Sequence, residues 1–155
     1  MSKDRLLTRA QVDDFRRDGF VVVRGMFDEG EMARIVAWSD EMESRPEAPG
    51  AYMKYFEESL RTPRERILQR LENFYPYHDG FGGLFDGKLR QASAELFGAE
   101  AVLFKEKINF KKPGGDGFKP HQDQQAGWGT YADLFITAMV SIDAATIENG
   151  CLELV

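Results

Sequence analysis

The sequence is poor in the residues that staple a chain, span a bilayer or attract polyanions. A single cysteine, Cys151, excludes an internal disulfide and makes a reducing, cytoplasmic setting the expectation. No apolar run approaches the ~20 residues of a membrane helix, and the opening Met-Ser-Lys-Asp-Arg lacks the apolar centre of a secretory signal. Basic residues are in deficit. The 20 Lys and Arg against 26 Asp and Glu give a net charge of −6, which argues against nucleic acid or an anionic membrane as partner. There is no internal repeat, linker or low-complexity stretch. Histidine is scarce, and His78 and His121 are the only two that any imidazole site can draw on. With 155 residues, 43% apolar and 12% aromatic, the chain supports a real core and amounts to one domain or part of one.

The first hundred residues read mainly as helix. Thr8 with Gln11 makes a capping box ahead of Val12 and Phe15, and Gly19 stops that helix. Phe20 to Val23 is apolar and β-branched, the pattern of a buried strand. Asp28 with Glu31 starts a second helix, in which Met32, Ile35, Val36, Ser39 and Met42 recur at helical spacing until Pro46, Pro49 and Gly50. Thr62-Pro63 with Glu65 predicts a third helix, with Ile67, Leu68, Leu71 and Phe74 as its apolar stripe. Residues 73–83 form a loop rich in aromatics, Pro and Gly, and a fourth helix over 88–97 ends at Gly98. From residue 101 the apolar period becomes that of strands, over 101–111, 118–123, 133–143 and 150–155. The expectation is a single α+β domain, mainly β in its core, with a helical layer over 1–99 and strands over 100–155.

The chemistry concentrates in the second part. His121 and Asp123 stand two residues apart. In an extended strand such side chains share a face, about 6.5 Å apart along the chain. An imidazole nitrogen and a carboxylate oxygen can then converge on one metal ion, two thirds of the 2-His-1-carboxylate triad that leaves positions on iron(II) open. A bare His-x-Asp is a weak signal, and a hydrogen-bonded surface pair is the ordinary alternative. No third ligand is visible in the sequence. His78 lies in a different context.

The surrounding order of segments sharpens the reading. Lys107-Ile108-Asn109 precedes a Gly/Pro-rich loop at 113–117, then His121-Gln122-Asp123, an apolar stretch over 134–142, and Glu148-Asn149-Gly150-Cys151-Leu152. In this order and spacing the chain resembles the phytanoyl-CoA dioxygenase family of iron(II)/2-oxoglutarate oxygenases, as does Asp18-Gly19-Phe20-Val21-Val22-Val23-Arg24-Gly25 after a short helix. The middle, 44–86, matches only loosely. The resemblance implies a double-stranded β-helix, a jelly-roll variant of two facing sheets, with iron(II), 2-oxoglutarate and O2 as cofactor and co-substrates. It also implies that the family's distal histidine and its arginine for 2-oxoglutarate fall after Val155, so that the chain corresponds to the N-terminal part of the fold. Related halogenases carry a small residue where Asp123 stands, and an intact carboxylate implies hydroxylation.

The resemblance also suggests roles for individual residues, each beside a plainer one. Lys105, Lys107 and Asn109 alternate along one strand, and the Lys105 and Asn109 positions match places where relatives contact 2-oxoglutarate. Ordinary solvent-facing lysines are the other reading. Phe118 either walls the co-substrate pocket or packs in the core, and Thr137 either donates to a carboxylate of 2-oxoglutarate or packs. Gln122 suits the substrate edge, and Trp128 with Tyr131 either a lid or a loop anchor. Tyr75 and His78 belong to a polar-aromatic cluster suited to a substrate mouth.

The expected function is hydroxylation of a small molecule by an iron(II)/2-oxoglutarate-dependent dioxygenase. Resemblance to bacterial members extends the expectation to small polar compounds such as organophosphonates. The alternative is a catalytically incomplete binding or structural protein that needs a missing C-terminal part or a partner chain. Oligomeric state is unassigned. As an isolated half-barrel, the 155-residue chain is expected to aggregate and not to turn over 2-oxoglutarate.

Overall fold

The computed structural model describes residues 5–154, without the side chain of Gln124. They cluster into two compact units. One holds the residues up to Lys54 together with Leu71–Ile108, and the other holds Tyr55–Arg70 with the residues from Asn109 onward.

In the first unit the helices begin and end where local chemistry dictates. Helix α1 (Arg9–Asp18) opens on Thr8, whose hydroxyl accepts from Gln11 N while Gln11 Oε1 accepts from Thr8 N. It closes at Gly19, where φ is 81° and the N–H returns to Phe15 O. This left-handed turn is one that glycine takes without steric cost. Helix α2 (Glu29–Ser44) opens on the reciprocal pair Asp28 and Glu31. No basic residue lies in its last turn, and Lys54 takes that part from outside the helix. Its Nζ donates to the carbonyls of Glu43 and Arg45, satisfying acceptors that the helix leaves open. Desolvation there lowers the Lys54 pKa below the usual lysine range.

Helix α3 (Asp79–Leu84) runs through a wide π turn (Phe85–Leu89) into helix α4 (Arg90–Phe97), which Gly98 ends in the left-handed conformation. Val12 of α1 and Ala92 of α4 close over Leu7, with Val23, Met26 and Leu96 packed against them. A second apolar centre joins Phe74 edge-on to Phe81, centroids 4.8 Å apart, with Trp38 at 5.7 Å from Phe81. Gly80 is required here, because a Cβ would lie 2.4 Å from the Trp38 ring.

Three strands follow the order β1 (Met53–Glu58), β2 (Arg66–Glu72), β3 (Lys107–Asn109) in a small antiparallel sheet. In the second unit the β1–β2 turn closes with Ser59 N donating to Glu65 O, and the Ser59 hydroxyl accepts from Arg61 N and Thr62 N. Gly114 lies against this turn. Leu60 N donates to its carbonyl, its φ is 90°, and a Cβ would stand 2.6 Å from Ser59 Oγ. Phe110 N donates to Gln69 O.

Both capping boxes and the ends at Gly19, Pro46 and Gly98 agree with expectation. The strand assignments need correction. Residues 62–74 are not a helix: they hold the hairpin turn, with Arg64 at φ 67°, and β2. Neighbours on both sides pair the β2 backbone, and that outweighs an ambiguous apolar pattern. Residues 20–23 are not a strand. Phe20 and Val22 are exposed, and no strand pairs with them among the described residues. Of the four strands expected after residue 100, only Lys107–Asn109 forms, and Val155 lies outside the described residues. The two facing sheets of a double-stranded β-helix are therefore not built by the described residues. Extended segments persist only where a neighbour takes up their N–H and C=O groups.

The contact that anchors the approach to α1 is Glu95. Its carboxylate accepts from Leu6 N and Leu7 N at 2.9 Å each, with Gln91 Nε2 at 3.2 Å. Burial pushes its pKa up, but these donors and Arg5 together outweigh burial and hold it below the usual value. A lowered folded-state pKa means stability that is complete above the unfolded value of about 4.3 and lost as pH falls through the folded value. Glu95→Gln is expected to lower stability at neutral pH and to flatten the loss below about pH 4.3. Urea titrations of both proteins from pH 3 to 7 check this, and parallel curves would refute the anchoring role.

Candidate metal centre

His121 and Asp123 meet in the second unit, although the backbone between them is not the expected strand. Asp123 opens a 3-10 turn (Asp123–Ala126), closed by Gln125 N donating to Gln122 O. The turn brings the two side chains together, with His121 Nε2 3.5 Å from Asp123 Oδ1. Each is also held at its far atom. His121 Nδ1 is 2.6 Å from the carbonyl of Lys119, and Thr137 Oγ1 donates to Asp123 Oδ2 at 3.0 Å.

This arrangement fits a divalent cation. A carbonyl only accepts, so Nδ1 donates to Lys119 O and Nε2 is the nitrogen turned to Asp123. Either a proton or a metal ion between Nε2 and the carboxylate oxygen satisfies both. Ligands cis to one another at about 2.1 Å from a metal stand roughly 3 Å apart, close to the separation seen here. A ring nitrogen bound to a backbone carbonyl is also the usual outer support of a metal-ligating histidine. Among the described residues, no group of three or more His, Cys, Asp or Glu side chains gathers to hold a metal.

The other expected residues are placed as follows. Lys107 and Asn109 share the exposed face of β3 while Ile108 is buried on the other. Lys105 precedes the strand, and its ammonium lies 3.3 Å from Glu72 Oε1. Phe118 is exposed rather than core, with Lys111 Nζ over its ring at 4.5 Å. Gln122 is exposed, and its N–H donates to Gln125 Oε1. Trp128 sits in a 3-10 turn (Trp128–Thr130), its ring 5.5 Å from Phe135, and Tyr131 is exposed.

Tyr75 and His78 belong to the first unit. Tyr75 donates its hydroxyl to Asp86 Oδ2 at 2.7 Å, and that bond raises its pKa. His78 is buried. Its Nδ1 accepts from Phe81 N at 3.2 Å, capping α3, and its Nε2 lies 3.5 Å from Glu41 Oε2. Its lone pair is thus committed to a helix cap. Lys119 was not foreseen because it acts through a backbone carbonyl, which no side-chain pattern reports.

The sequence comparisons identify the family. The profile of the phytanoyl-CoA dioxygenase family (PhyH) matches residues 15–155. The chain belongs to the phytanoyl-CoA dioxygenase family. A 2-aminoethylphosphonate dioxygenase from the uncultured bacterium HF130_AEPn_1 is 46% identical over 148 residues, 95% of this chain and 56% of that protein. A methylphosphonate hydroxylase from Gimesia maris is 35% identical over 94% of this chain and 55% of its own length. A dioxygenase, lolE1, from Epichloe uncinata is 34% identical over 84% of this chain and 49% of its own length. The chain thus spans about half the length of the curated relatives it matches. No solved structure matches it significantly. No helix among the described residues is long and apolar enough to cross a membrane.

The role of His78 as a cap is open to a direct check. His78→Ala is expected to cost about 0.5–2 kcal/mol of stability, the usual loss for an N-cap, while His78→Asn restores most of it. Denaturant unfolding checks both. Equal losses in the two variants would assign the effect to ring packing instead.

Proposed function

We propose that this chain carries the iron-binding part of an iron(II)/2-oxoglutarate-dependent dioxygenase that hydroxylates a small organophosphonate. The convergence of His121 Nε2 and Asp123 Oδ1 at 3.5 Å, each held from behind, carries the reading. Family membership supports the reaction class, and the names of two relatives, a 2-aminoethylphosphonate dioxygenase and a methylphosphonate hydroxylase, support the substrate class. A relative from Stutzerimonas stutzeri, named as a probable alpha-ketoglutarate-dependent hypophosphite dioxygenase, supports 2-oxoglutarate as co-substrate, at 24% identity. The fold of the whole protein in this reading is a double-stranded β-helix, and its location the cytoplasm.

The roles of the chain's own groups follow from their chemistry. His121 and Asp123 would hold iron(II) as two of its protein ligands. The chemistry supplied by iron(II), 2-oxoglutarate and O2 is oxidative decarboxylation to succinate coupled to hydroxylation of a C–H bond. Asn109 and Lys107, on the exposed face of β3, are the groups we assign to a carboxylate of 2-oxoglutarate. Lys105, occupied by Glu72, is the weaker candidate. Phe118 is the side chain we assign to a wall of the co-substrate pocket, and Trp128 the one we assign to a lid. In this reading the site takes a third metal ligand and a cation for the far carboxylate in addition to these groups.

Two measurements test this. His121→Ala and Asp123→Ala should each abolish iron(II) binding by calorimetry, because removing one of three protein ligands leaves too few to hold a labile divalent ion. Unchanged affinity in both would sink the assignment. Asn109→Ala should weaken 2-oxoglutarate by about 1.5–3 kcal/mol, roughly ten- to a hundredfold, with iron affinity preserved. An unchanged KM for 2-oxoglutarate in succinate-release assays would remove Asn109 from the co-substrate site.

A further inference from the structure

We infer that Thr137 is a positioning residue that holds Asp123 as a one-oxygen ligand, rather than a residue that binds the co-substrate. The inference rests on the iron site proposed above. Thr137 stands fourteen residues beyond Asp123, and its hydroxyl donates to Oδ2 at 3.0 Å. Asp123 Oδ1 is the oxygen that faces His121. The two oxygens of one carboxylate are thereby given different partners.

A threonine hydroxyl has one proton to donate. Here Asp123 accepts it, and the same proton cannot also serve a carboxylate of 2-oxoglutarate. Oδ2 keeps a second lone pair, but the hydrogen bond draws its electron density toward Thr137, so with the bond intact Asp123 is biased to bind through Oδ1 and to occupy a single coordination position. That matters for this chemistry, because a bidentate co-substrate and O2 together need the open positions that a 2-His-1-carboxylate site leaves. The charge-assisted bond also restrains rotation of the carboxylate about its terminal torsion, which is otherwise broad.

The lock has a counterpart on the histidine. Lys119 O fixes the Nδ1 proton and so aims the Nε2 lone pair. Each ligand is held at its far atom, and their near atoms, Nε2 and Oδ1, stand 3.5 Å apart. Residues 133–143 form no ladder with the turn at Asp123 among the described residues, and the Thr137 hydroxyl is the group that reaches the Asp123 carboxylate. Thr137 itself is exposed. Deleting its hydroxyl therefore removes the restraint without opening a core cavity.

The experiment compares Thr137→Val, which keeps the branched shape, with Thr137→Ser, which keeps the hydroxyl. Mn(II) is the probe, since it resists oxidation, and its affinity is read by calorimetry and its site symmetry by electron paramagnetic resonance. Thr137→Val is expected to weaken Mn(II) about ten- to a hundredfold, as losses of outer hydrogen bonds to metal ligands do, and to change the spectrum. Thr137→Ser is expected to restore both. The 2-oxoglutarate affinity, measured at saturating Mn(II), is expected to stay near the wild-type value in each variant. Unchanged Mn(II) affinity in Thr137→Val, with binding lost in Asp123→Ala, would overturn the positioning role and leave the metal site standing. So would a loss confined to 2-oxoglutarate affinity, or equal losses in the Val and Ser variants. Unchanged Mn(II) affinity in Asp123→Ala would overturn the metal site itself.

Discussion

An extended backbone needs a neighbour, and this constraint sorts the chain. Each residue in a strand offers an N–H and a C=O that must be paired or hydrated. β2 has neighbours on both sides and is a strand, despite a proline-led start signal that suits a helix. β3 is extended only over Lys107–Asn109, where β2 adjoins it. Apolar stretches without a strand partner among the described residues, at 20–23 and across 133–143, take no regular structure and leave Phe20, Val22, Leu134 and Met139 exposed. Hydrophobic pattern alone does not make a strand.

The His121–Asp123 pair is shaped by the same constraint. Without a ladder to hold it flat, the chain at Asp123 closes into a 3-10 turn. His121 and Asp123 converge all the same, because hydrogen bonds to their far atoms orient them. Order at the site therefore comes from Lys119 O and Thr137 Oγ1 rather than from a pleated sheet. A histidine whose second nitrogen is tied to a carbonyl keeps one tautomer, and a carboxylate with a donor on one oxygen is restrained in rotation. His78 illustrates the opposite outcome. The same side-chain type, placed before a helix, spends its lone pair on a backbone N–H and its other nitrogen faces Glu41.

The first unit shows how much helix ends accomplish with few residues. Thr8, Asp28, Gly19 and Gly98 set boundaries through contacts three or four residues away. Long-range polar contacts then tie those helices to the chain around them. Glu95 receives the N–H groups of Leu6 and Leu7, and Lys54 closes the end of α2. Lys88 reaches Met26 O and Glu31, and its bond to Glu31 holds that carboxyl below the usual glutamate range.

The sequence by itself determined what depends on near neighbours. Capping boxes, glycine stops, the helices over α1, α2 and α4, and the pairing of one imidazole with one carboxylate two residues on were all legible, because their partners lie within a turn. Family membership was legible too, from the order of Lys107-Ile108-Asn109, His121-Gln122-Asp123 and Glu148-Asn149-Gly150. Only the tertiary structure decided which apolar runs became strands, since a strand's partner lies far along the chain and no local pattern names it. Tertiary structure also decided that Lys105 answers Glu72, that His78 caps a helix, and that Thr137 serves Asp123. In each case one side chain had several chemically equal partners in the sequence, and distance in space chose among them.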